Sequence, residues 1–194
     1  SQNLDYVRKL TVIRSSIFGI DIQPVAIEIA KLRCFLTLIV DQTVSSKKKN
    51  RGIQPLPNLD FKFIAADSLI PLVESANIFG GDLDVVDEVQ EIRAQYFATE
   101  NIKQKETLKQ SYVDLLVRQT GDFEGESRIG QLKTFHPFDA ESTASFFDTE
   151  FFFGFSNFNV ILGNPPYIDL KLMTRVMPEA RQKINAIYDS ATGS

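Results

Sequence analysis

Cysteine and histidine are almost absent from this chain, which holds one of each, Cys34 and His136. A single thiol excludes an internal disulfide and suits a reducing cytoplasm. A lone histidine, with no cysteine or second histidine at ligand spacing, builds no metal site, and we expect no catalytic role for it. Long apolar runs are lacking too: none approaches the roughly 20 residues that span a bilayer. No basic-then-apolar leader marks the chain for export. These absences point to a cytoplasmic protein without a membrane partner. Positive charge is not in excess either, the formal net charge being −4. Neutralising phosphates needs clustered Lys and Arg, so the chain is not built to hold a polyanion mainly by electrostatics. Internal repeats and low-complexity tracts are missing as well.

Apolar residues are plentiful, 43% of 194 positions, enough for one domain with a sizeable core. Residues 3–15 predict a helix whose stripe Leu4, Val7, Leu10 and Ile13 needs an upstream partner. With the closing Ala191-Thr192-Gly193-Ser194, that stripe suggests an excised fragment. Ile17 to Ile20 reads as a short buried strand ending at Asp21. Pro24 suits a first helical turn, and Val25, Ile29, Leu32, Leu36 and Ile39 form one stripe expected to face a sheet. A strand-acid-helix unit of this kind belongs to a doubly wound α/β sheet. There ligands sit beyond the carboxyl ends of strands, and an acid at that place commonly accepts hydrogen bonds from ribose hydroxyls. The plainer alternative makes Asp21 a helix cap.

The same geometry recurs downstream. Ser45 to Asn58 reads as a loop, its basic cluster Lys47, Lys48, Lys49 and Arg51 a solvated turn with phosphate contact as the alternative. Phe61 to Ala66 predicts a second strand, ending at Asp67 before Ser68-Leu69, and here too a cap or turn is the plainer role. Gly80-Gly81 follows no strand and opens no GxG pattern, so it reads as a turn. From residue 82 to 119 the pattern is helical, with stripes Val85, Val89, Ile92, Tyr96 and Leu108, Tyr112, Leu115. Residues 121–131 form a polar connector. Seven phenylalanines then fall between Phe146 and Phe158, most of them expected as core filling against the sheet. Residues 169–188 carry mixed charge, including Lys171, Arg175, Arg181 and Lys183, and are expected near DNA or disordered without it.

The stretch around which these elements are organised is FNVILGNPPYI, residues 158–168. Phe158 to Leu162 reads as a fully buried parallel strand bounded by Gly163. At its carboxyl end Pro166 holds Pro165 extended and both rings fix φ, so the Pro165 carbonyl and the Asn164 amide share one direction. These two acceptors can take both hydrogens of a planar NH2 group, draw its lone pair out of conjugation and stabilise charge developing on nitrogen. Tyr167 offers a flat face beside them. Stacking there contributes roughly 1–3 kcal/mol, comparable with the cost of extruding a base from a duplex.

The Asn164-Pro165-Pro166-Tyr167 corner, its phenylalanine-rich run-in, FGIDIQPVAIEIAKLR and the xDSL context of Asp67 resemble the amino-methyltransferases that use S-adenosylmethionine. The resemblance is closest to gamma-class DNA adenine-N6 methyltransferases, and among them to large type II (type IIG-like) restriction-modification enzymes that carry endonuclease and methyltransferase in one chain. It implies a partial class I Rossmann-like α/β sheet, mainly parallel, in which residues 82–119 form a helical insertion. It implies that Asp21 binds the cofactor ribose, that Ile22 packs on its adenine, and that Asp67 with Ser68 meets the adenine amine. Asn164 then lies between cofactor and target, and Asn164, Pro165, Pro166 and Tyr167 are the catalytic set acting on a flipped adenine of double-stranded DNA. The family's glycine-rich cofactor loop and target-recognition domain have no counterpart in residues 1–194, which therefore read as an incomplete catalytic domain, expected to be inactive alone and to work with other domains or subunits of a restriction-modification system. Two other classes stay open on the residues themselves: a methyltransferase for protein glutamine or RNA guanine, which presents the same planar amine, and a catalytically inert Rossmann-like scaffold that binds nucleic acid or subunits.

Overall fold

The computed structural model describes residues 4–54, 57–73, 81–99, 101–118, 128–136, 138–164 and 170–188. Its centre is a parallel pair, β1 (Gly19–Asp21) and β2 (Phe63–Ala65), in the register Gly19 to Phe63, Ile20 to Ile64 and Asp21 to Ala65. Gly19 permits this approach, because a Cβ there would stand 2.7 Å from the Phe63 ring. On the outer edge of β2 the chain returns in parallel through Ala144, whose N–H donates to Ala65 O at 2.9 Å while its carbonyl accepts from Asp67 N at 3.0 Å. Phe147 N donates to Ile70 O at 2.7 Å further along the same edge.

Alternate β2 side chains go to opposite faces, and helices cover both. Phe63 joins one cluster with Tyr6 and Ile13 of α1 (Leu4–Ser15), Ile27 and Leu38 of α2 (Pro24–Val40), and Leu59. Ile64 joins the other, with Val89 of α3 (Gly81–Ala98), Tyr112 and Leu115 of α4 (Ile102–Arg118), and the rings of Phe135, Phe146, Phe151 and Phe152. Three short helices follow α4 before a final longer one: α5 (Arg128–Lys133), α6 (Thr149–Phe153), α7 (Leu170–Val176) and then α8 (Pro178–Ile187). The start of α5 thus replaces part of the expected polar connector. Among the described residues no helix is long and apolar enough to cross a membrane.

The aromatic run packs as expected of core filling. Phe146, Phe151 and Phe152 are buried, with Phe146 and Phe152 stacked at 5.2 Å and Phe135 edge-on to Phe152 at 4.7 Å. Asp148 caps α6 by accepting from Phe151 N at 2.7 Å, and Gly154 ends it in the left-handed region at φ 79°. The helical stripes of α3 and α4 also face inward: Val89, Tyr96, Leu108, Tyr112 and Leu115 are buried and Ile92 packs against them. The buried Tyr112 hydroxyl donates to Phe135 O at 3.2 Å.

Two expectations fail. The stripe Val25, Ile29, Leu32, Leu36 and Ile39 does not face the sheet but is 46% to 62% exposed, while Ile27 and Leu38, with Ala30, Cys34 and Phe35 beside them, face inward. α2 is apolar on nearly every side, so spacing alone does not choose its buried face. α1 buries Tyr6 and Ile13 in the α2 cluster with Leu10 packed beside them, while Leu4 and Val7 of the expected stripe are exposed. Finally, Phe158 to Leu162 forms no strand: Val160, Ile161 and Leu162 are 74%, 79% and 92% exposed. No strand among the described residues borders the free edge of β1, so this apolar segment has no ladder to join.

Candidate functional site

Parallel pairing brings two acids to one end of the sheet. Asp21 closes β1 and Asp67 follows β2 by two residues, with Ala66 N donating to Asp21 O at 2.9 Å between them. Each acid folds its own turn in the same way. Asp21 Oδ1 accepts from Gln23 N at 2.8 Å, and Asp67 Oδ1 accepts from Leu69 N at 3.1 Å. Asp21 is not the cap of α2: that position belongs to Gln23, which gives no side-chain cap, and Pro24 starts the helix without needing a donor partner. In both acids Oδ2 is left without a hydrogen bond among the described residues, and Asp21 is exposed while Asp67 is half-buried. Ile22 is 57% exposed beside Asp21, and Ser68 is exposed beside Asp67. The site thus offers two open carboxylate acceptors with an apolar side chain next to one of them. It matches the polar edge and flat ring of a nucleoside.

Two side chains that sequence reasoning missed fasten this end. Thr143 Oγ1 donates to Ile22 O at 3.4 Å, tying the edge segment to the turn after β1. Gln131, buried, accepts from Val73 N at 2.7 Å and donates to Pro71 O at 3.1 Å, clamping the chain that leads away from Asp67. Neither carries a local signal, because both act through contacts distant in sequence. Tyr188, at the end of α8, donates its hydroxyl to Leu69 O at 3.0 Å, so the segment after the prolyl corner comes back to the same turn.

Asn164 is exposed, and no described contact joins it to Asp21 or Asp67. Pro165, Pro166 and Tyr167 lie outside the described residues. The run-in ends at the opposite end of β1, where the Phe158 ring meets Phe18 at 5.9 Å and Phe155 at 5.0 Å. His136 lines a hollow of about 250 Å³ with Glu28, Lys31 and Asp60, and its N–H donates to Ser142 Oγ at 3.3 Å. The basic loop is well fastened. Gln42 and Gln54 exchange two hydrogen bonds at 2.7 and 3.4 Å, Ser45 N donates to Arg51 O, and Asn50 and Arg51 adopt φ of 51° and 53°. It follows the crossover helix α2, so it lies at the amino end of the sheet, away from both acids.

Residues 15–194 match the family model described as Eco57I restriction-modification methylase. Over 69 residues the chain is 38% identical to a protein of Methanocaldococcus jannaschii named as a type II restriction enzyme and methyltransferase. That alignment takes in 36% of this chain and 6% of the relative, so the chain spans a small part of that protein's length. No solved structure matches.

Proposed function

Because the chain belongs to the Eco57I restriction-modification methylase family, we propose that it is part of a cytoplasmic, site-specific DNA methyltransferase of a restriction-modification system, acting on adenine N6. One observation carries this reading: two neighbouring strand-terminal aspartates, each with one oxygen holding its own turn and the other open. S-adenosylmethionine, when bound, supplies an activated methyl group. In this proposal the open oxygen of Asp21 accepts from the cofactor ribose, Ile22 lies against its adenine ring, and Asp67 with Ser68 accepts from the adenine amine. Because Gln23 N and Leu69 N already fix the two carboxylates, little ordering is left for binding to do.

The prolyl corner acts on the target. Asn164 Oδ1 and the Pro165 carbonyl accept the two hydrogens of the N6 amine, Pro166 holds that carbonyl in place, and Tyr167 stacks on the flipped base. The lone pair is then aimed at the methyl group without a strong base, and catalysis is orientation plus charge stabilisation. Residues 82–119 form a helical insertion within this domain. The glycine-rich cofactor loop and the target-recognition domain come, in this proposal, from elsewhere in the parent protein. The test is labelled-methyl transfer by the full-length protein offered duplex DNA, RNA and a release-factor protein side by side. Label in DNA alone is expected; label in glutamine or RNA with none in DNA overturns the proposal.

A further inference from the structure

At the amino ends of the strands the molecule has a second cavity, away from both aspartates. Phe18 immediately precedes β1 and Lys62 immediately precedes β2, so the cavity lies about 10 Å from Asp21, the length of three strand residues. Its volume is about 400 Å³, within the range of small-molecule sites. Phe18, Phe61, Phe152 and Phe153 wall it, and its polar groups are Arg14, Lys62 and Asn58. Among the described residues no carboxylate lines it.

Lys62 sets the character of the cavity. It is 6% exposed, yet no acid pairs with it among the described residues; its ammonium stands 3.5 Å from the centroid of the Phe18 ring. A ring face meets a cation only in part, and the ammonium has no counter-charge among the described residues. Desolvation pushes its pKa down to about 8. Arg14, exposed at the rim, also has no acid partner among the described residues. Two cations with no counter-ion among the described residues, facing a hollow walled by rings, form a site that selects negative charge on a flat apolar body.

We propose that this cavity binds a small aromatic carboxylate, its carboxylate between Lys62 and Arg14 and its ring among the four phenylalanines. The site is separate from the methyl-transfer chemistry and does not depend on it. The probe is 2-naphthoate, titrated calorimetrically into the full-length protein, with 2-naphthalenemethanol as the uncharged control. Saturable binding of naphthoate is expected, at least about tenfold tighter than the alcohol, since a buried ion pair is lost with the charge. Lys62→Met, checked for a native circular dichroism spectrum, should weaken it by about tenfold. Should that variant fail to fold, Arg14→Ala, at an exposed position, should weaken naphthoate by about threefold and leave the alcohol unchanged. Equal affinity for the two probes, no saturable naphthoate binding, or unchanged affinity in the folded variants overturns the proposal.

Discussion

Asp21 and Asp67 each do two jobs with two oxygens, and the variants that separate those jobs are conservative ones. Asp21→Asn keeps an Oδ1 acceptor for Gln23 N but removes the charge and turns one acceptor into a donor. In the full-length enzyme it should leave the melting temperature within about 2 °C, since an exposed substitution rarely exceeds 0.5 kcal/mol in effect. It should raise the S-adenosylmethionine Kd about tenfold, as loss of a charged hydrogen bond implies, measured by equilibrium dialysis. An unchanged Kd removes Asp21 from the cofactor site. Asn164→Ala should do the reverse, abolishing methyl transfer while cofactor affinity stays within a few-fold.

Lys62 makes a prediction about pH. Its folded pKa lies near 8 against 10.5 for an ordinary lysine. Between those values the unfolded chain binds more protons than the native one, so stability rises with pH across the window and is lost as pH falls through about 8. Chemical denaturation at pH 7 and pH 10 should show wild type gaining on Lys62→Met; a constant difference between the two refutes the buried charge. At this scale the sequence was readable where a residue acts on its own neighbourhood, as Asp21 and Asp67 do through turns two residues long. It was silent on Lys62, Thr143 and Gln131, whose partners lie on other elements.

Helices and strands were readable to the extent that one face alone is apolar. The stripes of α3 and α4 alternate apolar with charged positions, and Val89, Tyr112 and Leu115 are buried as that pattern predicts. α2 offers two apolar faces, and only the tertiary contacts of β1, β2 and α1 choose between them. Two substitutions on this one helix separate the faces. Leu38, fully buried, should cost about 2–5 kcal/mol as Leu38→Ala. Leu36, 50% exposed, should cost no more than about 0.5 kcal/mol as Leu36→Gln. Urea denaturation of both checks this, and similar costs contradict the assigned orientation. Gly154→Ala bears on α6 in the same way: a positive φ and the Arg93 guanidinium against the space a Cβ would take should together cost about 1–2 kcal/mol.

For the molecule as a whole, the α/β arrangement with helices on both faces of a parallel sheet was readable from strand-acid-helix order, and the phenylalanine run supplied its core. The strand expected at Phe158 to Leu162 was not, because a strand is a pairing and not a property of one segment alone. Val160, Ile161 and Leu162 have the composition of a buried strand and are exposed, and among the described residues the free edge of β1 is likewise unpaired. Placing Asn164 beside the two acids is therefore the step that the proposed activity needs most. Chemistry reports on it more directly than stability does. Full-length protein should be incubated with plasmid DNA and methyl-labelled S-adenosylmethionine, and the DNA digested to nucleosides. The label should appear in N6-methyl-2′-deoxyadenosine, and Asn164→Ala should remove it; label in a methylated deoxycytidine, or undiminished label in Asn164→Ala, contradicts the account.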